Sequence, residues 1–286
     1  MPLVLVASLV IALGLAMIAY PFASDYLSRR EQAKVTQDLE HVTNETPAED
    51  LSAQMERAVD YNERLVSGSA YVVDPFDPDA PKTSDEEYVS LLNLAGNGVM
   101  GSIAIPRIGV DLPIYHGVEG EGMMHAVGHV PNSSLPVGGP STHSVLAGHT
   151  GLPSAVIFDA LDKLVVGDYF VIRVLGEEHA YRVTSTEVVL PDDASSLGIR
   201  DGEDLVTLVT CTPYGVNSHR LLVHAERCDV PQDWVDRKAG GQLGEVPLFA
   251  RQAAQVPPPV AVGLAFALAL LLVAYGAWRL LRRMRR

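Results

Sequence analysis

The chain has 286 residues, with 21 Lys and Arg against 35 Asp and Glu and a formal net charge of −14. A body this acidic lacks the basic footprint that nucleic acid requires, so no nucleic-acid partner is expected. Two cysteines, Cys211 and Cys228, are too few for a disulfide framework.

Residues 1–22 read as an N-terminal transmembrane anchor. The stretch from Leu3 to Tyr20 carries no charge, and about 18–20 apolar residues suffice to cross the hydrocarbon core of a bilayer as a helix. With no basic leading segment and no clear small-residue cleavage site, a retained anchor is favoured over a cleaved signal. A second uncharged apolar run, 260–278, is followed by a basic tail, 279–286, carrying Arg279, Arg282, Arg283, Arg285 and Arg286. Cationic flanks stay on the cytoplasmic side. The expectation is therefore a two-helix membrane protein with a cytoplasmic C-terminus and an extracytoplasmic body, although Arg29 and Arg30 lie on the outer side of the first span.

Residues 23–69 read as an N-terminal helical region. Its first helix covers 24–42. Its second opens at Thr46-Pro47-Ala48-Glu49, with Thr46 as cap, Pro47 at the first helical position and Glu49 closing a capping box. Leu51, Met55, Val59 and Leu65 follow at helical spacing, and Ser67-Gly68 ends the helix. Residues 70–90 are a loop and connection, where three prolines within 74–82 exclude regular structure.

Over 91–232 the pattern changes to short strands. Ile103 and Ile105 alternate with small neighbours, as do Val110, Leu112 and Ile114 with Asp111, Pro113 and Tyr115. Further strands are expected at 144–148, 169–175, 180–190, 204–211 and 220–226, with one short helical stretch at 154–164. Many short strands between Gly- and Pro-rich turns imply a mainly β fold, a closed barrel or a sandwich. Residues 233–259 read as a linker ending in Pro257-Pro258-Pro259.

Cys211 closes the strand Leu205-Val206-Thr207-Leu208-Val209-Thr210 at the mouth of a turn. A rigid element with an accessible end suits a nucleophile. The plainer readings are a buried thiol acting as a small hydrophobe or a bridge to Cys228. A nucleophilic thiol needs a nearby cation to raise its thiolate fraction. Two candidates stand at turns: His149, in Gly148-His149-Thr150-Gly151, and Arg220, which follows the loop 214–219. If the flanking strands form a hairpin, Arg220 lies beside Cys211. Arginine stays charged, so it can stabilise a thiolate or an oxyanion but cannot be a base, which leaves proton transfer to His149. His125 and His129 have metal-pair spacing, but Gly128 and Pro131 disfavour the helix that such a pair needs and no third ligand is recognisable. No metal or cofactor is expected. His219 and His224 read as ordinary strand histidines.

The run Thr207-Leu208-Val209-Thr210-Cys211-Thr212-Pro213-Tyr214-Gly215, followed by Asn217-Ser218-His219-Arg220, resembles the cysteine-to-arginine segment of class C sortases, the pilin polymerases. Gly148-His149-Thr150-Gly151-Leu152-Pro153 is similar to that class's histidine segment, as are Leu135-Pro136-Val137-Gly138-Gly139 and Thr142-His143. Thr150 stands where that class often carries Arg. The likeness spans about residues 70–230.

The resemblance implies an eight-stranded sortase-type β-barrel preceded by N-terminal helices and flanked by two transmembrane helices. It implies cleavage of an LPXTG-like sorting signal between Thr and Gly, with Cys211, His149 and Arg220 as catalytic residues. Its partners would be pilin subunits bearing that signal, with a lysine amine of another pilin as acceptor. It also implies that Asp74, Pro75 and Phe76 form a lid, Asp74 pairing with Arg220 and Phe76 covering Cys211. The alternatives are a sortase that anchors surface proteins to the cell wall, a cysteine hydrolase, and a non-catalytic binding module on a membrane tether.

Overall fold

The computed structural model describes residues 2–66, 72–77, 85–119 and 124–240. The second apolar run at 260–278, the basic tail, most of the expected linker and the Ser67-Gly68 stop lie outside the described residues. Helix α1 (Pro2–Glu45) runs unbroken through Pro21, so the expected anchor and the helix after it are one element. Its outer half is exposed at Leu13, Leu15, Met17 and Tyr20, whereas Ser28, Gln32, Thr36, Leu39 and Thr43 form a buried stripe at three- and four-residue spacing.

Helix α2 (Ala48–Val66) begins without the expected cap. The Thr46 hydroxyl donates instead to the Val42 carbonyl at 2.7 Å, satisfying an orphan acceptor at the end of α1. The Pro47 carbonyl takes the first α2 amides, those of Asp50 and Leu51. Helix α3 (Glu86–Ser90) is capped by Asp85, whose carboxylate accepts from the Glu87 and Tyr88 amides.

The body is a closed barrel of eight strands: β1 (Val99–Ile105), β2 (Val110–His116), β3 (Val127–His129), β4 (Thr142–Ala147), β5 (Tyr169–Val174), β6 (Glu177–Val189), β7 (Asp204–Thr212) and β8 (His219–Cys228). They close in the order β1-β2-β3-β4-β7-β8-β6-β5, with β2–β3 and β4–β7 parallel. Side chains alternate across each strand. Leu146, Val206, Leu208, Val223 and Ala225 point into the main core with Phe158, Phe170 and Tyr181. Their neighbours Val145, Ala147, Val209 and Leu222 form a second apolar layer on the outer face of β4-β7-β8. Val72, Phe76 and Leu197 cover that layer, so the barrel carries an apolar floor on its outside.

Two further expectations fail. The stretch 154–164 holds only a single turn of 3-10 helix, Leu161–Lys163. Its backbone is committed elsewhere: the Asp159 carboxylate accepts from the Gly151 and Ile157 amides, and the Phe158 amide donates to the His149 carbonyl at 3.1 Å. The expected linker from 233 begins as helix α4 (Gln232–Ala239). Trp234 anchors it, fully buried against Ala104, Val171 and Ala180, with its indole N–H on Glu178. Asp233 in its first turn and Arg237 and Lys238 in its last complement the helix dipole.

The N-terminal helices are held to the barrel by polar clasps as well as by packing. Buried Asn62 on α2 accepts the Leu135 amide at 2.7 Å and donates to the Leu135 carbonyl at 3.1 Å. Truncation leaves both backbone groups buried without partners, at roughly 1–3 kcal/mol each. Asn62→Ala is therefore expected to lower the urea midpoint by the equivalent of about 2–4 kcal/mol at unchanged slope. A midpoint within experimental error of the parent would show that the clasp contributes nothing.

Candidate active site

The β7–β8 hairpin brings the first two candidates together. In its antiparallel register Cys211 lies directly opposite Arg220, so both side chains project from the same outer face of the sheet. His149 follows β4, which runs parallel to β7 with Ala147 beside Val209. All three residues therefore sit at one end of the barrel, on the apolar floor. The turn after β4 is tightly drawn: a Cβ on Gly148 would meet the Phe158 ring at 2.7 Å. Only glycine fits there, and the packing directs the chain outward at His149.

The loop 74–77 closes over this end. Asp74, Pro75, Phe76 and Asp77 form a β-turn, with the Asp77 amide donating to the Asp74 carbonyl and Pro75 at the position its fixed φ favours. The Asp74 carboxylate takes the Phe76 amide at 3.3 Å. It also takes Arg220 as a fork, Nε at 2.8 Å and Nη2 at 2.7 Å, with each side chain only 10% exposed. Arg220 Nη1 donates to the carbonyls of Asn217 and His219, both at 3.1 Å. The Phe76 ring lies between the other two groups, 5.2 Å from the His149 ring and 5.2 Å from the Arg220 guanidinium carbon. The expected Asp74–Arg220 pair is present. Phe76 packs on His149 and Arg220, on the floor that also carries Cys211.

Electrostatics at the closed site disfavour reactivity. Burial pushes the Cys211 thiol up; Arg220 opposes this and Asp74 reinforces it. Burial also pushes His149 down. Burial is the one cause of that shift, and no carboxylate among the described residues offsets it. Cys228 is free, as is Cys211. It sits at the far end of β8, opposite Ala180, about 26 Å along the strand from the Arg220 level, which excludes the bridge. His125 lies in a turn against Ser28, while His129 is fully buried on β3 between Tyr88 and Ser134. They do not share a helix face.

Two features were not anticipated from sequence. Asp159 staples the loop that carries His149. His224 also belongs to a chain crossing the floor below Cys211: His143 Nε2 to Thr207 Oγ1 at 2.7 Å, Thr207 Oγ1 to His224 Nδ1 at 2.8 Å, and His224 Nε2 to Glu187 at 3.0 Å. His143 Nδ1 meets the Gly198 carbonyl, and burial lowers its pKa to about 4. The only sequence signal was polar residues at alternate strand positions, which period-2 patterning assigns to one face.

Comparison with known proteins agrees with this architecture. Residues 103–228 match the family model for the sortase domain. Sortase C-1 from Actinomyces oris is 46% identical, with a TM-score of 0.59, over 63% of this chain and 99% of that one. Sortase C1 of GBS pilus island 1 is 36% identical, with a TM-score of 0.62, over 70% of this chain and 94% of that one. The curated Sortase A of Streptococcus agalactiae is 28% identical over 131 residues, 45% of this chain, and the chain spans only 52% of that relative's length. A closed barrel of this strand order, with the Asp74 turn clasping Arg220 and 46% identity across almost the whole of a sortase C-1 structure, places the chain in the sortase family, in its class C group.

Proposed function

We propose that this chain is a membrane-anchored cysteine transpeptidase that assembles pili. Cys211 passes its thiol proton to His149, and the thiolate attacks the threonine carbonyl carbon of an LPXTG-like sorting signal. The Thr–Gly bond breaks, and His149 gives its proton to the leaving glycine amine. The acyl group remains on Cys211 as a thioester. A lysine amine of another pilin then attacks that carbonyl, His149 takes the amine's proton, and the C–S bond breaks to return the thiolate. In both halves Arg220 faces the oxyanion that forms on the carbonyl oxygen. The apolar half of α1 is the anchor, being among the described residues the one helix long and apolar enough to cross a bilayer.

The observation that carries this reading is the direct cross-strand pairing of Cys211 with Arg220, at the same end of the sheet as His149. The lid turn and a structural neighbour from a pilus island support pilin joining over cell-wall anchoring. In this scheme Asp74 and Phe76 hold the enzyme closed. Asp74 occupies the donors that an oxyanion would use, and the Phe76 ring packs at a tilt against His149 where an acceptor amine would approach.

Three outcomes follow. Mixed with an LPXTG-type peptide and a primary amine, the chain should yield a product cut after threonine and joined to the amine by mass spectrometry. Cys211→Ala should yield none. A product from Cys211→Ala, or a cleaved peptide with no amine adduct at any amine concentration, would rule out transpeptidation by this thiol. Asp74→Ala or Phe76→Ala should speed iodoacetamide alkylation of Cys211 about tenfold, since a charge-assisted pair contributes about 1.5–3 kcal/mol and 1.4 kcal/mol is a factor of ten. Equal rates in all three proteins would remove the lid. The pH midpoint of alkylation should also fall in Asp74→Ala. Both burial and the Asp74 charge raise the thiol in the closed state, and the substitution relieves both while Arg220 still favours thiolate. An unmoved or higher midpoint would contradict the assigned causes.

A further inference from the structure

Helix α1 can be read as a depth gauge, because each residue advances about 1.5 Å along its axis. Aromatic side chains collect at the headgroup level of a bilayer, and the exposed Tyr20, Phe22 and Tyr26 mark that level at the end of the apolar run. The first contacts between α1 and the barrel fall at the same place. Ser24 Oγ donates to the Ser154 carbonyl at 3.2 Å, and the Asp25 carboxylate accepts from the Val156 amide at 3.2 Å. Both partners belong to the loop that follows His149, the one stapled by Asp159. Further along the helix, Ser28 meets His125, Glu40 meets Arg173, and Thr43 lies against Gly176 in the β5–β6 turn. From Asp25 to Thr43 the rise is about 27 Å.

The strand registers give the same order independently. Val189 pairs with Arg220 at the end of β8 that holds the site, and Ala180 pairs with Cys228 at the other; the β5–β6 turn lies beyond Ala180, at the end away from Cys211. The site therefore occupies the end of the barrel nearest the apolar half of α1. Four exposed apolar side chains lie at that end. Val156 is 42% exposed, Val188 60%, Leu190 56% and Val216 68%; Val156 lies in the loop after His149, Val188 and Leu190 at the Arg220 end of β6, and Val216 in the β7–β8 turn. Isolated exposed apolar residues are ordinary, but several gathered at one end and continuous with an anchor need a nonpolar partner.

We infer that the catalytic end of the barrel rests on the lipid surface, with Val156 and Val216 at headgroup depth and the β5–β6 turn pointing into solvent. The end of the barrel that carries Cys211 and Arg220 then faces the bilayer. The inference rests on the proposed function only in taking α1 as the membrane anchor. It makes no use of the chemistry.

The test uses the full chain with its native thiols removed (Cys211→Ala, Cys228→Ser), carrying a single cysteine from Val156→Cys, Val216→Cys or Glu177→Cys. Each protein is labelled with bimane and inserted into phosphatidylcholine–phosphatidylglycerol vesicles containing headgroup nitroxide lipid. Quenching at 156 and 216 should be at least about threefold stronger than at 177, which lies beside the distal turn. Proteins that fail to float with the vesicles would overturn the anchor and the orientation together. Proteins that float while 156 and 216 stay unquenched, or while 177 is quenched as strongly, would overturn the orientation alone. Self-quenching at 156 or 216 that grows with protein-to-lipid ratio would assign the face to a second copy of the chain and likewise overturn it.

Discussion

The antiparallel register of β7 against β8 is the constraint on which the site depends. Side chains alternate with a period of two, so a slip of one residue would turn Arg220 inward and leave Cys211 without a cation on its face. Several features secure the register. Leu208 and Val223 are paired and buried inside the barrel, while Val209 and Leu222 are paired on the outer layer, so a slip would expose both layers at once. The chain from His143 through Thr207 and His224 to Glu187 adds a polar lock across four neighbouring strands. Its partners match only in the observed register, and buried polar groups left unmatched are costly.

The same face places an apolar surface outside the core, directly beside Cys211. The floor of Val145, Ala147, Val209 and Leu222 excludes water from one side of Cys211. Phe76 packs beside it on His149 and Arg220. The thiol is then held neutral in the closed state, and Arg220 is neutralised by Asp74 instead of by the sulfur. On the proposed lid reading, opening the turn would exchange one anionic partner for another at the same guanidinium, a small rearrangement of charge with a large effect on the thiol.

Much of this was legible in the sequence, because the informative residues lie in regular elements or tight turns. The alternation in 204–211 and 220–226 announced two strands, and the short loop between them announced the hairpin that sets Arg220 beside Cys211. Asp74-Pro75-Phe76 read as a loop by its prolines, and the family resemblance supplied the pairing with Arg220. Three features were hidden, each for a physical reason. Thr46 had two acceptable hydroxyl partners, and local sequence could not rank the end of α1 against the start of α2. The apolar spacing of 154–164 suited a helix until Asp159 drew its amides into a folded loop. Trp234 looked like part of a linker because its pocket is built from β1, β5 and β6, far away in sequence. Tertiary partners decided all three.

The four hydrogen bonds of Arg220 have a consequence for which substrates succeed. On the proposed chemistry, a sorting signal binds only the fraction of molecules in which Asp74 has let go, so its apparent affinity is the intrinsic affinity scaled by that fraction. A free peptide in dilute solution meets this handicap in full. A polypeptide confined to the same surface as the enzyme meets it at an effective concentration that confinement can raise by orders of magnitude. On that reading the Asp74 clasp acts as a threshold on local concentration. It rejects stray segments that resemble the signal and admits those delivered on the same two-dimensional surface, without any contact that reads their identity.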